Sequence, residues 1–129
     1  MSHIIHDIKL ASQIGRYSDA VEIAPNQRLL FTSGTPGLSA AGEVPDDITA
    51  QSEIAWRHII GILEKANMGV GDIFKVTQYL TRFDDVRPYA QVRNRYLGDA
   101  RPASMLAVIP DLVWKNFLVE VEIMAAKPA

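Results

Sequence analysis

The sequence predicts an α+β fold in which two helices pack on one face of a mixed β-sheet. Three observations lead there. Runs rich in β-branched and aromatic residues alternate with two stretches of helical apolar spacing, in the order β-β-α-β-α-β-β. Glycine, proline and aspartate punctuate the junctions. The last run alternates Val119, Val121 and Ile123 with Glu120 and Glu122, the pattern of a strand with one buried face.

Tyr17 to Ile23 is the first strand, ending at the turn signal Pro25-Asn26. Arg28 to Ser33 is the second, and the short connection suggests a hairpin. Gly34-Thr35-Pro36-Gly37 breaks it, and a loop runs to Pro45 with room for one short strand between Gly37 and Val44. Asp46 and Asp47 mark the start of the first helix, since a carboxylate there accepts from free N–H groups and complements the dipole. Ala55, Ile59, Ile62, Leu63 and Ala66 define its buried face, and Gly69 and Gly71 supply a stop. Gly61 costs that helix up to about 1 kcal/mol relative to alanine and permits close packing on a sheet. Phe74 to Leu80 is a strand. Asp84 or Asp85 begins the second helix, with Pro88 in its first turn, Tyr89, Val92 and Tyr96 on its apolar face and Gly98 at its end. Ala103 to Ile109 and Phe117 to Met124 are the final strands, separated by Pro110 to Asn116. Helices on one face leave the other face uncovered, and a two-layer chain of this size commonly covers it by oligomerising.

The 129 residues and 48% hydrophobic content fit one core, so residues 1–129 are expected to form one domain. A net charge of −2 without a basic run gives nucleic-acid binding little support. Cysteine is absent, which removes disulfides, thiolate nucleophiles and cysteine metal sites. Met1 to His6 lacks the basic flank and long apolar core of a leader. No stretch reaches the roughly 20 apolar residues of a membrane span, so a cytoplasmic protein without a membrane partner is expected.

Candidate chemistry centres on Ala100-Arg101-Pro102-Ala103-Ser104, where a lone guanidinium stands at the mouth of an uncharged strand. Its planar fork can clamp a carboxylate through two parallel hydrogen bonds. The bland alternative is an edge arginine paired with Asp99 or Asp111. Glu120 and Glu122 share a strand face; either they form a solvated surface, or one of them orients or deprotonates a water beside an apolar pocket. Tyr17, after Gly15-Arg16, is either a core or interface aromatic or a phenol lining a ligand site. Gly34 and Gly37 could form a backbone nest, but no lysine or following helix makes it a phosphate loop. Ser33 lacks a nucleophile elbow. His3 and His6 lie in a terminus expected to be loose, His58 sits mid-helix, and no metal-ligand spacing recurs.

Taken in order, several segments resemble the RidA (YjgF-type) family of reactive-intermediate deaminases. They are Gly15-Arg16-Tyr17-Ser18-Asp19-Ala20, Leu30-Phe31-Thr32-Ser33-Gly34, Gly69 through Asp72-Ile73-Phe74-Lys75-Val76-Thr77, Ala100 to Ser104, and Val119-Glu120-Val121-Glu122. The resemblance implies a chorismate-mutase-like fold and a homotrimer with sites at subunit interfaces. It also implies cofactor-independent hydrolysis of 2-aminoacrylate- or 2-iminobutanoate-type enamines and imines to a carbonyl compound and ammonia. By the same resemblance Arg101 holds the substrate carboxylate, and Tyr17, Ser33, Gly34 and Glu120 line the site; Glu120 is then the group that could position the water. No metal is implied. The chain departs from the pattern at Ala103, where many members carry cysteine, at Thr35, where glutamine is frequent, and in a longer Pro110–Phe117 connection bearing Trp114. These departures bear on the substrate more than on the fold.

The implied chemistry is economical. An imine conjugated to a carboxylate is already electrophilic, so fixing the carboxylate and adding one positioned water suffices, with a general acid–base group contributing roughly 100- to 10,000-fold. Two other functions stand beside it: a non-catalytic binder or sensor of small carboxylates or keto acids, and an RNA-directed ribonuclease, which the acidic balance disfavours.

Overall fold

The computed structural model describes residues 3–129; Met1 and Ser2, part of the segment read for a leader, lie outside the described residues. The strands are β1 His3–His6, β2 Ala20–Ile23, β3 Gln27–Phe31, β4 Thr35–Pro36, β5 Ile73–Leu80, β6 Ala103–Val108 and β7 Val119–Pro128. The helices are α1 Ile48–Lys65 and α2 Val86–Leu97. The main sheet runs β3-β7-β5-β6, with β4 paired to β7 beside β3. Only β5 and β6 in it are parallel. They are joined through α2, the crossover a parallel pair requires.

Register sorts the side chains onto two faces. Val76 opposite Ile123, Gln78 opposite Val121 and Leu80 opposite Val119 form the buried face. Trp56, Ile59 and Leu63 of α1 and Tyr89 and Val92 of α2 pack with it in one core, so both helices lie on that face. The opposite face carries Thr77, Tyr79, Glu120 and Glu122, none of them fully buried. Phe31 and Leu29 on β3 and Met105 on β6 extend it and are each more than half exposed. This is the uncovered apolar face that a one-sided arrangement of helices produces.

Local chemistry explains the helix ends. The Asp47 side chain accepts from the Ala50 amide at 2.8 Å, a standard N-cap bond. The stop after α1 is not a glycine: Asn67 takes the left-handed conformation (φ 56°), while Gly69 and Gly71 belong to the next short turn and need no positive φ. Gly98 does end α2 left-handed, at φ 57°. Asp85 caps nothing; its carboxylate is bound by Arg82 at 2.7 Å.

Four further expectations are corrected. The predicted hairpin does not form: β2 pairs with β1, and β3 pairs with β7. The reason is that β7 runs on to Pro128 and sets small Ala125 and Ala126 opposite Leu30 and Leu29, while the segment read as a loose terminus supplies β1. The first strand begins at Ala20, because Tyr17 lies in the segment leading into β2, where Ser18 bridges to Ala103 instead. The short extra strand is Thr35–Pro36, upstream of the stretch expected to hold it. His3 and His6 are strand residues. No helix is long and apolar enough to cross a membrane.

Candidate active site

The candidate residues fall into two groups, at different places along β5. The first surrounds Arg101. The Ser18 amide donates to the Pro102 carbonyl at 3.1 Å and the Ser18 hydroxyl donates to the Arg101 carbonyl, pinning the loop before β2 to the loop before β6. Tyr17 and Arg101 therefore line one cavity of about 220 Å³. Arg101 is not an edge residue paired with Asp99 or Asp111. Its Nη1 donates to the Gly98 and Ala100 carbonyls at 2.8 and 2.9 Å, the open C-terminal end of α2. Nε and Nη2 have no hydrogen bond among the described residues, which leaves one edge of the fork free for a planar anion.

Asp19 holds this end together. Its carboxylate accepts from the Ile8 and Ala11 amides at 2.8 and 2.7 Å. Desolvation acts to raise its pKa, but the bonds from the Ala11, Ile8 and Leu10 amides prevail and leave it below the usual carboxylate range. Asp19 is thus a fixed anion beside Tyr17. Sequence reasoning missed its role because the amides it binds belong to a turn eight to eleven residues upstream.

The second group surrounds Glu120. Its side chain lies on the uncovered face, opposite Tyr79 on β5 and Pro36 on β4. A Cβ on Gly34 would stand 2.9 Å from Glu120 Cδ, so any side chain there would push the Glu120 carboxylate aside. Thr32 anchors the loop: its amide donates to the Ile123 carbonyl at 3.1 Å and its hydroxyl accepts from the Ile123 amide at 2.9 Å. Ser33 is exposed; its carbonyl accepts from the Thr35 hydroxyl at 3.2 Å. Glu120 has no hydrogen-bond partner among the described residues. Burial raises its pKa first, and the neighbouring Glu122 charge adds to the rise. A partly buried, unpaired carboxylate with a raised pKa suits proton transfer better than solvated surface duty.

Gln51 also serves this end and was not foreseen. Its Nε2 donates to the Pro45 and Asn116 carbonyls at 2.8 and 2.9 Å, and its Oε1 accepts from the Leu118 amide at 2.8 Å. That clamp fixes the entry to β7 and hence Glu120. Gly37 lies directly on it, where a Cβ would come 2.4 Å from Gln51 Cβ. The only sequence signal was a glutamine on the buried face of α1, beside Ser52 and otherwise among apolar residues.

One chain does not unite the two groups. Ala103 lies opposite Lys75 and Glu120 opposite Tyr79. Four residues of β5 span about 13 Å, and Arg101 lies two residues further out. The fork of Arg101 turns toward the end of α2, not along the strand. Among the described residues no group of three or more His, Cys, Asp or Glu is placed to hold a metal ion. Trp114 stacks on Phe117 with centroids 4.9 Å apart, half exposed on the connection before β7.

Residues 8–127 match the family model described as Endoribonuclease L-PSP. A RutC family protein of Pyrococcus abyssi is 32% identical over 126 residues, covering 96% of each chain. The Escherichia coli protein named "Putative reactive intermediate deaminase TdcF" is 26% identical over 136 residues, covering all of both chains. A crystal structure of E. coli TdcF with bound serine aligns over 88% of this chain and 90% of its own, with a TM-score of 0.73 and 25% identity. A Rid-family protein from Yersinia pestis, of unknown function, shares the fold at a TM-score of 0.86 over 98% of this chain and 100% of its own, with 22% identity.

Proposed function

The chain belongs to the endoribonuclease L-PSP family, that of the YjgF/RidA proteins, and on that premise we propose that it hydrolyses reactive 2-imino acids and enamines to a carbonyl compound and ammonia, at sites completed between the subunits of a homotrimer. The observation that carries the proposal is the division of labour along β5. One end offers a guanidinium with a free fork edge, and the other offers an unpaired carboxylate with a raised pKa. Neither end alone can both hold a substrate and move a proton. A second copy of the chain, packed on the uncovered face, can bring Glu120 of one subunit to Arg101 of another. The serine bound to TdcF and that protein's name as a reactive intermediate deaminase support a small substrate with a carboxylate and a nitrogen.

In this mechanism Arg101 grips the substrate carboxylate through Nε and Nη2 and so fixes the C=N carbon. The imine nitrogen takes a proton from solvent, and Glu120 takes one from water as the oxygen adds to the iminium carbon, giving the neutral carbinolamine. Glu120 then returns its proton to the amine nitrogen, the C–N bond breaks as the carbonyl forms, the hydroxyl proton passes to solvent and ammonia leaves. Gly34 borders the Glu120 carboxylate with Ser33 before it on the same loop, and Tyr17 walls the Arg101 cavity.

RNA cleavage, which the family description names, finds no support in the side chains. His6 pairs with Glu22, His58 with the Leu38 carbonyl and His3 with the Ala126 carbonyl, so no two histidines face a common site. Non-catalytic binding of a small carboxylate or keto acid uses the same Arg101 fork and is separated by turnover. The test is ammonia release and imine decay with 2-imino acids generated in situ by an amino-acid oxidase. Accelerated decay supports hydrolysis; saturable binding without acceleration supports the binder.

A further inference from the structure

A second guanidinium is held in a more enclosed place than Arg101. Arg93 of α2 is half-buried beside Tyr89, its carbon Cζ 5.7 Å from the ring centroid. Its Nη1 donates to Gln78 Oε1 and its Nε to Asn94 Oδ1, both at a long 3.2 Å. Nη2 has no partner among the described residues, and none of the ion pairs there includes Arg93. Arg16 adds a second positive charge to its surroundings, and burial pulls the Arg93 pKa below its ordinary value. A guanidinium remains charged even so. It is therefore a partly desolvated cation without a counter-ion, which is costly unless something supplies the anion.

The neighbourhood is built. Gln78 is fully buried and uses all its bonding capacity. Its Oε1 accepts from the Tyr89 hydroxyl at 2.7 Å and from Arg93, and its Nε2 donates to Ser104 Oγ at 3.0 Å and the Met105 carbonyl at 2.9 Å. This network braces α2 against β5 and β6. Since Ser104 Oγ accepts from Gln78, its own proton remains available. Arg93 and Ser104 line a cavity of about 400 Å³ whose other walls include Ile14, Tyr17, Ala90 and Leu106. No acidic side chain lines it. The volume lies in the range of small-molecule sites, and the walls are mostly hydrocarbon.

We propose that this cavity, between α2, the start of β6 and the segment around Tyr17, binds a small apolar monocarboxylate with Arg93 as its counter-ion. The carboxylate accepts from Nη2 of Arg93 and from the Ser104 hydroxyl, and the hydrocarbon body lies along Ile14, Ala90 and Leu106. A single cation with apolar walls fits one negative charge on a hydrocarbon frame better than a phosphate, which needs more donors. The proposal does not depend on imine hydrolysis at Arg101; the two cavities share only Tyr17 as a wall.

The test is calorimetric and NMR titration of the full chain with sodium 4-methylpentanoate, using 4-methylpentanamide as the uncharged control. The wild type and Arg101→Ala should bind the carboxylate saturably in the millimolar range, and the amide about tenfold more weakly or less. In the Arg101→Ala background, which removes the other carboxylate clamp, adding Arg93→Met should lose at least about tenfold in affinity. Ala90→Leu narrows the cavity from a wall residue that makes none of the Gln78 hydrogen bonds, so it should lose binding even where Arg93→Met proves poorly folded. Absence of saturable binding by the wild type overturns the proposal. So does equal binding when Arg93→Met or Ala90→Leu is added to a folded Arg101→Ala protein, and so does loss in Arg101→Ala with retention in Arg93→Met. Hydrolysis lost in Arg101→Ala with carboxylate binding intact leaves the two sites separately established.

Discussion

Mixing two inactive variants is expected to regenerate activity, because Arg101 and Glu120 lie far apart in one chain. The perturbation is a co-refolded, equimolar mixture of Arg101→Ala and Glu120→Gln protomers. A working site needs the intact arginine of one subunit, carried only by Glu120→Gln chains, and the intact glutamate of its neighbour, carried only by Arg101→Ala chains. With random assembly, half the arginine positions and half the glutamate positions are intact, so about one quarter of all sites are wild type in any closed ring. Each parent retains about 1% of activity or less if the lost group contributes at least about 100-fold. Imine decay in the mixture should therefore rise to about 25% of the wild-type rate, some 25-fold above either parent. The strand spacing of about 13 Å across four residues of β5 makes the intrachain alternative implausible geometrically, and that alternative gives no recovery at all. A mixture that turns over at the mean of its parents refutes interfacial sites.

Other outcomes follow from single positions. Arg101→Ala should abolish hydrolysis in a folded protein, and Arg101→Lys should restore little, since a point charge does not reproduce the fork; steady-state assays on variants with native circular dichroism check this. Glu120→Gln should lower kcat with little change in ligand Kd, whereas Glu122→Gln should leave kcat near wild type. The Glu120 pKa is raised, so the charged base is lost at a higher pH than for an ordinary glutamate and the acid limb of kcat is displaced upward. Removing the Glu122 charge should move that limb back down, read from pH–rate profiles. Gly34→Ala places a methyl 2.9 Å from Glu120 Cδ and should lower kcat while leaving thermal stability nearly unchanged. Tyr89 is fully buried and its pKa lies well above the usual phenol value because of desolvation. The unfolded chain ionises first as pH rises through about 10, so stability is present below that pH and falls above it by up to about 1.4 kcal/mol per pH unit. Urea unfolding of Tyr89→Phe between neutral and alkaline pH should show a shallower fall; an identical slope refutes the assignment.

What the sequence made legible follows periodicity and local chemistry. The α1 face through Ala55, Ile59 and Leu63, the Asp47 cap, Pro88 in the first turn of α2 and the alternation of β7 are all local patterns, and the structure carries them. Pairing is not local. Nothing in Arg28 to Phe31 tells that these residues pair with Met124 to Lys127 rather than with Val21 to Ile23, because strand partners are chosen by the fit of whole faces. The His3–His6 strand was illegible for the same reason: four residues with two histidines carry no signal until β2 is beside them.

The candidate site divides along the same line. Arg101, Tyr17, Gly34 and Glu120 could be singled out from residue type, motif order and resemblance, yet the sequence could not state that one chain keeps them in two groups. That fact depends on register, which sets Ala103 against Lys75 and Glu120 against Tyr79. Arg93 shows the converse. In the sequence it is one of three arginines on α2, between Val92 and Asn94, and nothing there sets it apart from Arg87 or Arg95. Only when β5 brings Gln78 under α2 does Arg93 become a partly desolvated cation, bonded to a buried amide and facing a cavity without a carboxylate. Gln78 is the residue that makes this so. With an apolar residue at position 78, the Tyr89 hydroxyl would lose its acceptor and Arg93 its hold on the sheet, and the guanidinium would be free to swing toward solvent. Gln78→Val should therefore weaken binding of 4-methylpentanoate even though position 78 makes no contact with the ligand, and unchanged affinity in a folded Gln78→Val protein would show that Arg93 holds its position without the buried amide.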